Sequence, residues 1–229
     1  NSIGDLVRKG ADGMLEYRLT LDEGMFSYSF GGSTAKSITS VENTCAQRES
    51  NSIYIPEKEV LSIFGIIQKS REQDSSFGFD DTYFDLVKAL SIPRQKGKNF
   101  AEFVKGREIL KEIIGGSITY DTAQQAWVYD HARMKFPMGI AAEGVKKLAI
   151  LDHLLGNRYL DTRSILIFDE PESGIHPAAI TKLMDILWLL AYAGVQIFIA
   201  THSYFVLKKM YVRRTGGHDS RDAPAGDDG

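Results

Sequence analysis

The sequence predicts an α/β protein: a partial parallel sheet from about Met138 onward, preceded by a mixed α+β lobe. Two observations predict the sheet. Ser164-Ile165-Leu166-Ile167-Phe168 is a continuous apolar run, the pattern of a strand buried on both faces of a parallel sheet, and Val195 to Ala200 reads as a second buried strand. Between them, Pro177 to Tyr192 reads as a helix that opens on proline, which the first helical position tolerates. A third observation sets the lobe apart: before Met138, hairpin patterns and helical stretches follow one another without βαβ order.

In chain order, Leu15, Tyr17, Leu19 and Leu21 alternate with polar residues. Asp22-Glu23-Gly24 then supplies a turn, and Phe26, Tyr28 and Phe30 resume the alternation, so a hairpin is expected. Residues 31–51 are rich in Ser, Thr and Asn and predict a loop or an edge element. Ile53-Tyr54-Ile55 reads as a short strand stopped by Pro56. Helices follow over Glu59 to Lys69, around Phe84 to Leu90 before Pro93, and over Phe103 to Ile114, the last closed by Gly115-Gly116. Ile118 to Tyr120, Ala126 to Tyr129 and Met134 to Phe136 are short strands, and Glu143 to Leu155 is a helix with Val145, Leu148, Leu151 and Leu155 along one side. After the βαβ unit a helix is expected near Tyr204 to Met210. The tail from Arg213 holds almost no apolar residues and reads as disordered. The expected organisation is thus a lobe over 1–137, a sheet-bearing half over 138–211 and a tail over 212–229.

Composition narrows the function classes. Apolar residues at 43% and charged residues at 25% are those of a globular protein, and a net charge of −3 gives no global basic field for nucleic acid. A single cysteine, Cys45, excludes an internal disulfide framework and fits a cytoplasmic protein. No signal peptide is visible, although the chain begins at Asn1. The most membrane-like stretch, Leu183 to Ala200, is interrupted by Asp185, Gly194 and Gln196, so no membrane association is expected.

In open α/β sheets, ligands sit beyond the carboxyl ends of the strands. Both apolar runs end in polar residues there: Asp169-Glu170 after the first and Thr201-His202-Ser203 after the second. Neighbouring acids at a strand end project to different sides, so one can hold Mg²⁺ while the other polarises a water, as phosphoryl transfer requires. Asp-Glu-Pro also serves simply to cap a strand and open a loop.

The neighbours of these residues decide between the two. Ile165 to Glu172 resembles the Walker B motif of ABC-type ATPases, and Ser173-Gly174-Ile175-His176-Pro177 resembles the loop that follows it in the OLD-like (AAA_15- and AAA_21-like) branch of AAA-type ATPases. Ala200-Thr201-His202-Ser203 resembles the switch-histidine motif at the end of the next strand. Ala142-Glu143-Gly144, opening the helix that holds Lys146 and Lys147, is similar to that branch's degenerate signature motif, with Ala142 where many relatives place serine; the same segment also reads as an ordinary amphipathic helix with two solvated lysines.

The resemblance implies a P-loop NTPase-like fold of the ABC ATPase type, with ATP and Mg²⁺ as cofactors. Asp169 would help hold the metal, Glu170 would accept the attacking water's proton, and His202 would contact the γ-phosphate or that water. Ala142, Glu143, Gly144 and Lys146 would meet nucleotide across a head-to-tail homodimer. It further implies phage defence or DNA handling, with DNA and a nuclease as partners.

One part of that resemblance is missing. The chain holds no Gly-x-x-x-x-Gly-Lys-Ser/Thr phosphate loop; Gly97-Lys98 is followed by Asn99, and Ile92 stands where the first glycine belongs. The expectation is therefore a fragment whose loop lies upstream of Asn1, inactive alone. A non-hydrolysing pseudo-ATPase interaction module is the alternative, and a nuclease using Asp169, Glu170 and Glu172 as metal ligands is a third reading. The remaining histidines, His131, His153, His176 and His218, show no partner pattern.

Overall fold

Alternation of apolar and polar residues pairs β1 (Leu15–Leu21) with β2 (Gly24–Phe30) in an antiparallel hairpin, Tyr17 opposite Tyr28, and β3 (Ser40–Asn43) adds to the other edge of β2. The expected edge element within 31–51 is this strand. The computed structural model describes residues 13–21, 24–32, 34–46, 50–58, 60–74 and 79–216, with backbone alone for 71–74 and 213–216; Asp22 and Glu23 of the expected turn and His218 fall outside them. The chain forms two compact units, Asn1–Glu49 and Ser50–Gly229. The expected boundary at 137/138 therefore falls inside the second unit, because β4 (Ser52–Ile55), a strand of the early lobe, pairs in parallel with β8 (Ile165–Asp169).

The second unit is a mixed α/β fold. Its parallel sheet runs in the order β4-β8-β9, with β9 at Gln196–Ala200, and a separate antiparallel meander joins β5 (Ser117–Asp121), β6 (Ala126–His131) and β7 (Met134–Pro137). Helices α1 (Phe64–Asp74), α2 (Asp81–Ser91), α3 (Ala101–Ile114), α4 (Glu143–Gly156), α5 (Pro177–Tyr192) and α6 (Tyr204–Gly216) complete it. Local chemistry explains their limits. The Asp80 carboxylate accepts from the N–H groups of Thr82 and Tyr83 and starts α2, Gly115 in the left-handed region ends α3, and Pro177 occupies the first turn of α5 behind the His176 cap. α1 begins five residues later than its apolar spacing suggests, after turns at 61–63.

Two expectations change. Burial alternates along β8: Leu166 and Phe168 enter the core with Ile53 and Ile55, while their neighbours Tyr54, Ile167 and Phe198 line up across the sheet on the opposite face. Ile167 is exposed there and Phe198 is 51% exposed. The apolar runs are therefore those of a sheet with one face packed on the helical core, not two. α6 also continues through Gly216, beyond the expected end at Met210. The core gathers α2, α3, α4 and α5 against β4 and β8, and no helix among the described residues is long and apolar enough to cross a membrane.

Candidate functional site

β8 delivers Asp169 as its last residue and Glu170 as the next, one strand from β4 on one side and from β9 on the other. Their side chains divide accordingly. Asp169 Oδ2 accepts a hydrogen bond from Tyr54 Oη of β4 at 2.9 Å, and Glu170 Oε1 lies 3.0 Å from Nδ1 of His202, just beyond β9. Burial and the hydrogen bond to Asp169 push the Tyr54 phenol up to about 12, so it remains a proton donor at physiological pH. His202 is exposed, while Glu170 is mostly covered.

The Glu170 peptide is fixed on both sides. Its N–H donates to the Ala200 carbonyl at 2.8 Å, and its carbonyl accepts from Ser173 N at 3.0 Å and from Lys147 Nζ at 2.8 Å. These bonds hold Glu170 at φ +41°, a left-handed conformation that a side-chain-bearing residue adopts only when its surroundings impose it, and Pro171 restricts it further. Thr201 Oγ1 donates to Glu172 Oε1 and accepts from Ser203 N at 3.0 Å, which closes the loop after β9 over the one after β8. The other carboxylate oxygen, Glu172 Oε2, is buried without a partner.

Of the residues singled out in the sequence, Asp169, Glu170 and His202 come together. Ala142, Glu143, Gly144 and Lys146 sit at the start of α4, where Ala142 is the N-cap and offers no side-chain bond. Glu143 and Gly144 meet the loop after β8: a Cβ on Gly144 would lie 2.4 Å from the Gly174 carbonyl oxygen, and one on Gly174 3.0 Å from Glu143 Cβ. Only glycine fits that contact. The alternative reading of this helix, with two solvated lysines, does not hold, because both are buried; Lys146 Nζ reaches Glu143 Oε1 at 2.8 Å, and Lys147 is 1% exposed. Burial lowers the Lys147 ammonium below its ordinary value, against the opposing pull of Glu57, Glu170, Glu172 and Asp169. His176 caps α5 through Nδ1, and His131 Nδ1 meets the Gly115 carbonyl, both local structural roles.

Sequence reasoning missed Tyr54 and Lys147. Nothing near Tyr54 announces a partner 115 positions away. Lys147 left a readable signal, because it stands at helical spacing from Leu151 and Leu154 on the buried stripe of α4. Chemically, the arrangement offers a single carboxylate for a cation, a second carboxylate beside an imidazole, and a buried ammonium bonded to the Glu170 carbonyl. Among the described residues no group of three or more His, Cys, Asp or Glu is placed to hold a metal ion, so Asp169, Glu170 and Glu172 do not form the ligand set that a nuclease reading needs.

Residues 3–208 match the model of a protein family described as "AAA domain, putative AbiEii toxin, Type IV TA system". No curated protein matches the chain. Among solved structures it is similar to an Smc head bound to the C-winged helix domain of ScpA, at 12% identity and TM-score 0.48 over 91% of this chain and 73% of the other. The Smc head domain of Thermotoga maritima aligns at 10% identity and TM-score 0.38, over 86% of this chain and 66% of that one. A Pyrococcus furiosus Smc head domain with an extended coiled coil, bound to the C-terminal domain of ScpA, aligns at 14% identity and TM-score 0.34, over 64% of this chain and 35% of its own length. The chain belongs to the AAA-domain family matched over residues 3–208, and so to a superfamily of nucleotide-binding enzymes.

Proposed function

We propose, from that membership, that the chain carries the carboxylate part of an ATP-hydrolysing site in a cytoplasmic ATPase of phage defence or DNA handling. The intact protein would bind ATP and Mg²⁺ between two head-to-tail copies and act beside a nuclease on DNA. One observation carries this reading: Asp169 and Glu170 leave the central parallel strand toward different neighbours, one held by Tyr54 and the other beside His202.

The residues fit Mg²⁺. Tyr54 occupies Asp169 Oδ2 and leaves the second oxygen for a metal that takes one or two carboxylates and otherwise water and phosphate oxygens. ATP and Mg²⁺, when bound, supply the scissile anhydride and neutralise its charge. Glu170 accepts the proton of the attacking water at its carboxylate, and His202 orients that carboxylate through Oε1. Lys147 holds the Glu170 backbone and offsets the clustered negative charge. At the start of α4, Lys146 is engaged with Glu143, so contact with a nucleotide across the dimer falls to the N–H groups of the first turn. The reading requires a phosphate loop that these 229 residues do not contain.

In a protein that carries that loop, Glu170→Gln is expected to keep ATP binding and to lower kcat by about a hundredfold or more. Asp169→Asn is expected to weaken Mg²⁺-dependent ATP binding. Parent-rate hydrolysis by Glu170→Gln would overturn the role of Glu170. The missing loop favours one second reading, a pseudo-ATPase interaction module, which micromolar ATP binding by the 229 residues alone would promote.

A further inference from the structure

The two outer strands of the parallel sheet are finished differently. β4 holds Ile53 and Ile55 fully under the helical layer, and its chain leaves the sheet through Pro56-Glu57-Lys58, a proline and charges of the kind that keep an edge from pairing further. β9 has no such device. Gln196-Ile197-Phe198-Ile199-Ala200 carries neither charge nor proline. Ile197 and Ile199 share the helical face of Leu166 and Phe168 yet are only partly buried, and Phe198 is half exposed on the other face.

The ladder to β8 fixes which backbone groups face outward. Gln196 N donates to the Ser164 carbonyl at 2.9 Å and the Ala200 carbonyl accepts from Glu170 N at 2.8 Å, so Gln196, Phe198 and Ala200 turn toward β8. By alternation Ile197 and Ile199 turn their N–H and C=O groups to the open side, where no strand pairs with them among the described residues. Water satisfies such groups on any exposed edge. It does not cover the apolar surface around them: Phe198, a pocket of about 180 Å³ beside Ile197 and Ile199 that Trp188 and Met210 also line, and the rings of Tyr192 and Tyr204, 73% and 76% exposed.

This edge is complementary to itself. Set antiparallel about a two-fold axis through Phe198, Ile197 of one copy faces Ile199 of the other in a hydrogen-bonded pair, and the reciprocal pair forms across the axis. The two Phe198 side chains then meet in a non-hydrogen-bonded pair, where side chains lie closer. Tyr192 and Tyr204 each stand six positions from Phe198, so the same axis brings the Tyr192 end of one copy to the Tyr204 end of the other. With about 150–250 Å² for a whole aromatic side chain, the exposed parts of these three come to roughly 300–500 Å² per copy. A standard interface buries about 800 Å² per partner, and the strand edge and the isoleucines over the pocket add to the aromatic share.

We propose that two copies of this chain pair through β9, antiparallel and edge to edge about Phe198, and join their three-stranded sheets into one. The contact is isologous, so it occupies both open edges and closes at two copies. It is separate from the head-to-tail arrangement around nucleotide and needs no ATP.

Sedimentation equilibrium of the 229-residue chain without nucleotide is expected to show a monomer–dimer equilibrium with Kd of about 50 μM or tighter. Phe198→Lys sets two ammonium groups against each other across the axis and is expected to raise Kd at least about tenfold, with the circular dichroism of the parent. Cysteine cross-linking with diamide reads the register. In a Cys45→Ser background, Phe198→Cys is expected to give a disulfide-linked dimer, because directly opposed Cβ atoms lie about 4.5–5.5 Å apart. Gln196→Cys faces Ala200 of the second copy and lies about 14 Å from its own counterpart, beyond the reach of a disulfide, so it is expected to stay uncross-linked. A chain that stays monomeric at about 200 μM, a Phe198→Lys variant that dimerises as tightly as the parent, equal cross-linking by Phe198→Cys and Gln196→Cys, or a dimer that appears only with ATP overturns the proposal.

Discussion

The two ends of α4 bury charge in opposite ways. Near its C-terminal end Asp152, 3% exposed, takes Arg94 Nη2 at 2.5 Å and Arg107 Nε at 2.8 Å, so both carboxylate oxygens are bound by guanidinium groups from the α2–α3 connection and from α3. Near the N-terminal end Lys147 has no such partner among the described residues. Its described hydrogen bond goes to a neutral carbonyl, that of Glu170, and the carboxylates of Glu57, Glu170, Glu172 and Asp169 act on it from farther off. A charge neutralised by direct contact serves packing. One left to face several carboxylates at a distance serves the electrostatics of the strand ends, and the fold bears its desolvation to keep it there.

Breaking the closed end should have the largest effect. Asp152→Ala strands two largely covered guanidinium groups and is expected to destabilise the second unit by about 3 kcal/mol, read from urea unfolding. A loss under about 1 kcal/mol would show that solvent already screens the arginines. Gly144→Ala comes next, at about 2 kcal/mol, because the new Cβ meets a backbone carbonyl rather than a flexible side chain. That clash lies within one chain, so loss of dimerisation in a Gly144 variant would not by itself demonstrate contact across a dimer; an accompanying loss of stability identifies the local cause.

The open end yields the smallest and most diagnostic effect. A lysine held below its ordinary value of 10.5 binds its proton more readily in the unfolded chain, so unfolding takes up a proton and stability rises as the pH climbs toward 10.5. Lys147→Met, of similar length without charge, is expected to stay within about 1 kcal/mol of the parent at neutral pH. The difference, parent minus variant, should then grow in the parent's favour as the pH is raised. A flat difference would mean that the lysine is paired as completely as Asp152 is.

Patterns confined to one element were legible in the sequence. The β1–β2 hairpin, the helix-opening Pro177, the glycine that ends α3 and the order of strand, helix and strand around Asp169 all follow from periodicity and turn chemistry acting over a few residues. What escaped depends on chain segments far apart in sequence. The pairing of β4 with β8 joins Ile53 to Leu166 across an intervening lobe, so no composition shift marks it, and the two strands fall on opposite sides of the 137/138 boundary that the sequence suggests. The apolar character of β8 and β9 suggested two buried faces because periodicity reports how apolar a strand is, not which layers cover it. At the site, Asp169, Glu170 and His202 were visible because each stands at a strand end. Tyr54 was invisible, and the reading of Lys147 as a solvated charge, one of two open for its helix, overlooks the helical spacing that places it inside.

The left-handed backbone of Glu170 has a consequence for selection experiments. Glycine takes that conformation without the cost of roughly 1–2 kcal/mol that an L side chain incurs. Screening a variant library for heat resistance alone would therefore enrich glycine at position 170 and discard the carboxylate that the proposed chemistry needs. Ranked by melting temperature, the chain's best versions would be those without this carboxylate, and any campaign to make it robust while testing the proposed role has to hold this codon fixed.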